Sequence, residues 1–351
     1  MGAGEGVEPS VVDQPGRPST VNRSCSRIIL PLPGSDDQGS VSLIATIGVV
    51  VSAPALAAEL RSAGTVRCVS SADDRDARDA LGKATITDAA TRWADRLGRW
   101  AIPEEILAQA AVSPWQHDTA MFVVDDTLDR DTPAARIACA VLPAAGGSVL
   151  DVGCGGGRAA LSLVPPAELV IGVDQSSAML AEFSRAAAAA GAQSTTVEGR
   201  WPDVADATPV ADVVVCHHVA YNVADIEPFL LAMTAHARLA VVLVLPPRHP
   251  LSAWNDAWRH FWGLERPTEP TADDLADVLA GLGLDAERWD VPRPPLARAT
   301  ADTASRIPSA RRRLCLTEDR DDELATYLDA HEPEWSSTNV VFRWPGAAGD
   351  A

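Results

Sequence analysis

One stretch limits this chain more than any other. Val149-Leu150-Asp151-Val152 is an apolar run that reads as a strand, and it leads straight into Gly153-Cys154-Gly155-Gly156-Gly157 and then a helix. Glycines at such a strand-to-helix turn let backbone approach a bound nucleoside where a Cβ would collide. A second run, Val170-Ile171-Gly172-Val173, ends in Asp174. A carboxylate about 20 residues past the loop is placed to accept hydrogen bonds from both ribose hydroxyls. Two cofactor classes use this geometry. A dinucleotide asks for G-x-G-x-x-G, and here Arg158 stands at the sixth position. The D-x-G-x-G-x-G spacing of Asp151, Gly153, Gly155 and Gly157 is complete.

Downstream, strand-like and helix-like segments alternate. Apolar runs stand at 149–152, 169–173, 195–197, 213–216 and 239–245, with later ones at 286–291 and 340–344. Helical stretches cover 159–163, 177–190, closed by Gly191, and 226–236; Thr271 with Asp274 caps another that ends near Gly281. Apolar strands between helices imply a parallel sheet covered on both faces. Upstream, Ile86, Trp93, Leu97 and Trp100 recur near helical spacing. Pro103 opens a short helix, and Thr132 caps a third with Pro133 at its first position.

The sequence thus divides into an extension over 1–75, expected to be poorly ordered and dispensable for folding; a helical cap over 76–146; and an α/β domain over 147–347 with a helical insertion near 250–265.

The 351 residues carry a net charge of −19 and a single lysine, Lys83. Such a balance disfavours nucleic acid, whose phosphates call for clustered Lys and Arg. The six cysteines form no CxxC pair, so no zinc site is expected, and reduced, partly buried thiols are. The uncharged segment 43–58 resembles a signal h-region but lies far from the nearest upstream arginine, Arg27, and is too short to span a bilayer. No stable membrane insertion is expected, and the compartment implied is the cytoplasm. The sequence is silent on oligomeric state.

The loop at 149–157 resembles motif I of the class I S-adenosylmethionine-dependent methyltransferases. Asp174-Gln175-Ser176-Ser177-Ala178-Met179-Leu180 is similar to the segment after their second strand. The resemblance implies a Rossmann-like three-layer sandwich: a seven-stranded, mostly parallel sheet with an antiparallel last strand. It implies S-adenosylmethionine as cofactor. It also implies that Asp151 orients the loop and the methionine amino group, that Gly153, Cys154 and Gly155 line the methionine, that Asp174 with Gln175 holds the ribose, and that Met179 packs near adenine. In many relatives the third strand is followed by Gly-Asp. Here Glu198-Gly199-Arg200-Trp201-Pro202 puts Arg200 at the acid's place. Trp201 is open to two readings, flanking the adenine or packing on the sheet edge.

The fourth strand ends Cys216-His217-His218-Val219-Ala220-Tyr221. Family position puts Cys216 or His217 beside the cofactor, while His218 and Tyr221 are the candidates for the acceptor side, His218 as a general base. A small-molecule acceptor suits the charge and the extra helices. Two other readings stay open: a nicotinamide-dependent oxidoreductase, and a protein that binds S-adenosylmethionine without catalysis. Trp254, Trp258, Phe261 and Trp262, with Trp115, either roof a pocket or form core. Arg311-Arg312-Arg313 is either an anion site or an ion-paired helix face.

Overall fold

A computed structural model describes residues 28–31, 40–43, 88–115, 122–124, 128–144, 146–293 and 302–347. Two compact units separate between Val69 and Ser70. In the first, β1 (Ile28–Pro31) pairs antiparallel with β2 (Ser40–Leu43). The rest of the 1–75 extension and most of the 43–58 segment lie outside the described residues, as do Cys25 and Cys68.

The second unit holds seven strands: β3 (Gly147–Val152), β4 (Ala167–Asp174), β5 (Gln193–Glu198), β6 (Ala211–His217), β7 (Ala237–Leu245), β8 (Glu287–Pro292) and β9 (Thr338–Pro345). Their order is β5-β4-β3-β6-β7-β9-β8. Strands β3 to β7 pair in parallel, and β9 runs antiparallel to both its neighbours, β7 and β8. This is the sheet that the alternation of runs implied. The reading of strands covered on both faces fails at one edge, where β5 is largely exposed. Its Gln-Ser-Thr-Thr sequence tolerates water and blunts that edge against pairing with another chain.

The helices, in chain order, are α1 (88–98), α2 (Glu104–Leu107), α3 (Pro133–Cys139), α4 (Arg158–Leu161), α5 (Ser177–Ala190), α6 (Ile226–His236), α7 (Asn255–Trp262), α8 (Ala272–Gly281), α9 (Thr303–Arg313) and α10 (Asp321–Ala330). Caps fix several boundaries. The Thr132 hydroxyl accepts from Ala135 N, and Thr271 and Asp274 form a reciprocal capping box.

Strand alternation sorts the core. Val214, Cys216, Leu243, Phe342 and Trp344 meet α6 and α8 on one face. Val149, Val213, Val215, Val244 and Val341 meet α3, α4 and α5 on the other. A satellite cluster contains Trp254, Trp258 and Phe261, so the aromatic stripe is core. Of the arginine run, Arg311 pairs with Asp321 and Glu318 and Arg313 donates to the Pro114 carbonyl. No described helix is long and apolar enough to cross a membrane.

The cap is fastened to the far end of the domain. Trp93 donates to the Val223 carbonyl, Trp100 to the Glu269 carbonyl, and Arg96 pairs with Glu269 and Asp274.

Candidate functional site

Chain reversal between β3 and β6 opens a crevice at the carboxyl ends of the strands, where ligands bind in open α/β sheets. The loop after β3 is held from below. Gly153 and Cys154 both donate to the Val173 carbonyl, and Gly155 donates to Asp174 Oδ2 at 2.9 Å. The other oxygen, Oδ1, accepts from Ser176 N at 2.9 Å. Asp174 therefore ties the loop to the start of α5 and keeps lone pairs free for a ligand.

Gly153 has φ +70°, and a Cβ there would strike Val219 at 2.6 Å. A Cβ on Gly156 would lie 2.0 Å from the Phe122 carbonyl, so the cap segment 122–124 presses directly on the loop. Arg185 donates to the Val124 carbonyl and pins that segment to α5.

Asp151 is buried, and its Oδ2 accepts from Ala160 N at 3.0 Å, in the first turn of α4. Burial, with Asp174 nearby, pushes its pKa up to about 7. The Cys154 thiol turns into the core, where a Cβ on Gly172 would meet it at 2.9 Å, so only its backbone faces the loop. Met179 is buried in the first turn of α5, whereas Gln175 and Arg200 are exposed at the rim.

Several expected residues are placed elsewhere. Trp201 is core: its indole donates to the Phe229 carbonyl at 3.2 Å and stands edge-on to His236. Of its two readings, packing on the sheet is the one seen, because α6 offers both an apolar face and a carbonyl. Cys216 is fully buried, and burial raises its thiol pKa. Tyr221 does not face an acceptor. It is buried, stacks on Trp93 at 5.6 Å, and donates to the Pro246 carbonyl at 2.9 Å. Tyr221→Phe should thus cost about 1 kcal/mol of stability, the worth of one hydrogen bond. Turnover should stay within about threefold; a hundredfold loss would return Tyr221 to the chemistry.

The two histidines differ. His217 pairs in register with Val244, and strand alternation sets it on the same face as Val215. His218 leaves the strand with φ +63° while its N–H donates to the Val244 carbonyl at 2.7 Å. Histidine is more tolerant of this left-handed region than most residues, but an outlier at a strand end marks a site worth testing. Burial lowers His217 to about 3, with a further push from His218. Packing and then the Arg293 guanidinium lower His218 to about 4. His218 keeps an exposed flank, so water screens part of that effect. Both rings are neutral at pH 7, the state that accepts a proton.

Sequence reasoning missed three groups: Phe122, His249 and Arg293. His249 is buried, stacks on Trp100 at 4.0 Å, and is lowered to about 3 by burial and Arg266. It follows Pro246-Pro247-Arg248 at the carboxyl end of β7. The rule that strand ends line the crevice was sufficient to flag that polar cluster.

Topology and glycine loop together define a Rossmann-like α/β fold. Residues 149–238, from β3 into the start of β7, match the family model described as a methyltransferase domain. No curated protein matches the chain in sequence. Several solved structures resemble it in part. The YcgJ protein of Bacillus subtilis is 17% identical, over 62% of this chain and 98% of that one, with a TM-score of 0.41. A cyclopropane-fatty-acyl-phospholipid synthase-like protein of Lactobacillus casei is 19% identical, over 69% and 98%, with a TM-score of 0.43. Magnesium protoporphyrin IX methyltransferase of Synechocystis, with bound SAH, is 17% identical, over 61% and 79%, with a TM-score of 0.39.

Proposed function

We propose that this protein transfers a methyl group from S-adenosylmethionine to a small-molecule acceptor. The observation that carries the reading is the pair Asp151 and Asp174 at the ends of β3 and β4, beneath a loop with no room for side chains. S-adenosylmethionine brings an ammonium to Asp151 and ribose hydroxyls to Asp174, and a carboxylate suits each. A dinucleotide would instead bring an anionic pyrophosphate against the same acids. Gly153 and Gly155 line the methionine, Asp174 receives the ribose, Met179 and the backbone at Arg200 and Trp201 flank the adenine, and His217 borders the transferable methyl. The cofactor supplies an already activated leaving group, so the protein's task is alignment and, for a protonated acceptor, removal of one proton. His218 is the residue assigned to that proton.

Calorimetry with S-adenosylmethionine and NAD is the test. Submillimolar binding of the first and none of the second is expected; the reverse would sink the proposal. The pH dependence adds a second check. A bound cation favours ionised Asp151, so binding releases a proton and affinity rises with pH. With Asp151 at about 7 in the free protein, Kd should fall about tenfold between pH 6 and pH 8. Asp151→Asn should flatten that slope. The same raised pKa acts oppositely on the free protein: its stabilising contribution is complete below pH 3.8, the unfolded-state value, and is lost as pH climbs through 7.

A further inference from the structure

Beyond the end of β7 lies a cleft of about 270 Å³, open mouth included, lined by Arg248, His249, Ser252, Arg293, Glu334 and Trp335 among others. Arg293 sits just after β8 and extends its ladder by donating from N–H to the Ser337 carbonyl at 2.8 Å. It is half-buried, yet no carboxylate among the described residues pairs with it. Elsewhere in the domain Arg96, Arg238, Arg288 and Arg311 each meet an acid and the buried Arg266 donates to the Trp100 and Ala101 carbonyls, while Arg312 is likewise half-buried without an acid among the described residues. In a chain of net charge −19, acids are abundant, so a half-buried guanidinium left without one is a costly arrangement. Arg248 adds a second positive charge at the exposed rim, and the exposed Glu334 offsets one of the two. Trp335, braced edge-on by Trp254 at 6.0 Å, supplies a flat apolar wall. The His218 N–H donates to the Val244 carbonyl, two residues before Pro246, which lines the cleft, so cleft and proposed base adjoin.

We propose that the methyl acceptor carries an oxyanion, a carboxylate or a phosphate, which docks on Arg293 in this cleft and presents its nucleophile toward His218. The assignment rests on the methyl-transfer reading above. A guanidinium forks two N–H donors toward such a group, and Trp335 covers the flat part of a small acid. Binding also has a chemical consequence. An anion on Arg293 offsets the lesser of the two causes that hold His218 low; its packing, the larger, stays.

The test uses the full-length, isotope-labelled protein titrated by NMR with benzoate, inorganic phosphate and, as neutral control, benzamide. At least one anion is expected to bind at millimolar concentration or better and benzamide not to bind. Preference for benzoate makes the acceptor a carboxylate, and preference for phosphate makes it a phosphate ester. Arg293→Gln should weaken the anion at least tenfold, and Arg293→Lys should recover part of that loss. Melting within about 2 °C of wild type guards against misfolding. The inference is overturned if neither anion binds, if benzamide binds equally, or if Arg293→Gln changes nothing. Calorimetry with S-adenosylmethionine on the same samples separates the two readings. Cofactor bound without anion overturns the oxyanion assignment alone. Anion bound without cofactor overturns methyl transfer, and with it the acceptor role of the cleft.

Discussion

Asp174→Ala should weaken S-adenosylmethionine binding by about 10²–10⁴-fold. The side chain does two things at once. Its oxygens hold Gly155 N and Ser176 N, each at 2.9 Å, and its remaining lone pairs face the position of the ribose. Charge-assisted hydrogen bonds of this kind are worth roughly 1.5–3 kcal/mol each, and two lost to the ligand amount to that range of affinity. Loosening of the loop adds a loss of stability. Asp174→Asn separates the contributions: its amide oxygen still accepts one backbone N–H, so the fold is largely kept while the charge on the ribose is gone. Calorimetry and thermal melts on both variants are the measurements. Affinity within threefold of wild type in the alanine variant would remove Asp174 from the cofactor site.

His218→Ala should lower turnover by about 10²–10⁴-fold and leave cofactor affinity within twofold, if His218 takes the acceptor proton. Its neighbour supplies the control. His217 is the residue we propose beside the cofactor, so His217→Ala should act on cofactor affinity first. The pH profile discriminates further. His218 is held to about 4, so at saturating S-adenosylmethionine and limiting acceptor, activity should stay level from pH 6 to 8 and fall only as acid protonates the ring. Loss of folding or of cofactor affinity in His218→Ala would make His218 structural. No change in either quantity would mean that alignment alone drives the reaction.

The sheet was legible because its signal is local and repeated. Five of the seven strands follow apolar runs, the edge strands β5 and β8 being polar, and α5, α6 and α8 match stretches readable from Gly191, the 226–236 periodicity and the Thr271–Asp274 box. The loop and Asp174 were legible for the same reason, since spacing along one chain carries their geometry. What resisted reading was direction and distant company. Nothing near Tyr221 announces that Trp93 stacks on it, and nothing near Trp201 announces the Phe229 carbonyl. Strand alternation predicts that His217 and His218 point to opposite sides, but the left-handed backbone at His218 breaks the period at the residue that matters. Arg293 resisted because its meaning is a missing partner, a property only three dimensions reveal.

The long reach of the cap has a kinetic consequence. Trp93, Arg96 and Trp100 emerge early in synthesis, yet their partners are Val223, Glu269 and Asp274. At 5–20 residues per second the ribosome needs roughly 10–30 s to deliver the most distant of them. During that interval two tryptophans that end almost fully buried have no partner surface to cover them. The cap is accordingly the last part to become resistant to protease on a nascent chain. A chaperone that masks aromatic side chains for that half-minute would raise the yield of active protein more than any change in the sheet.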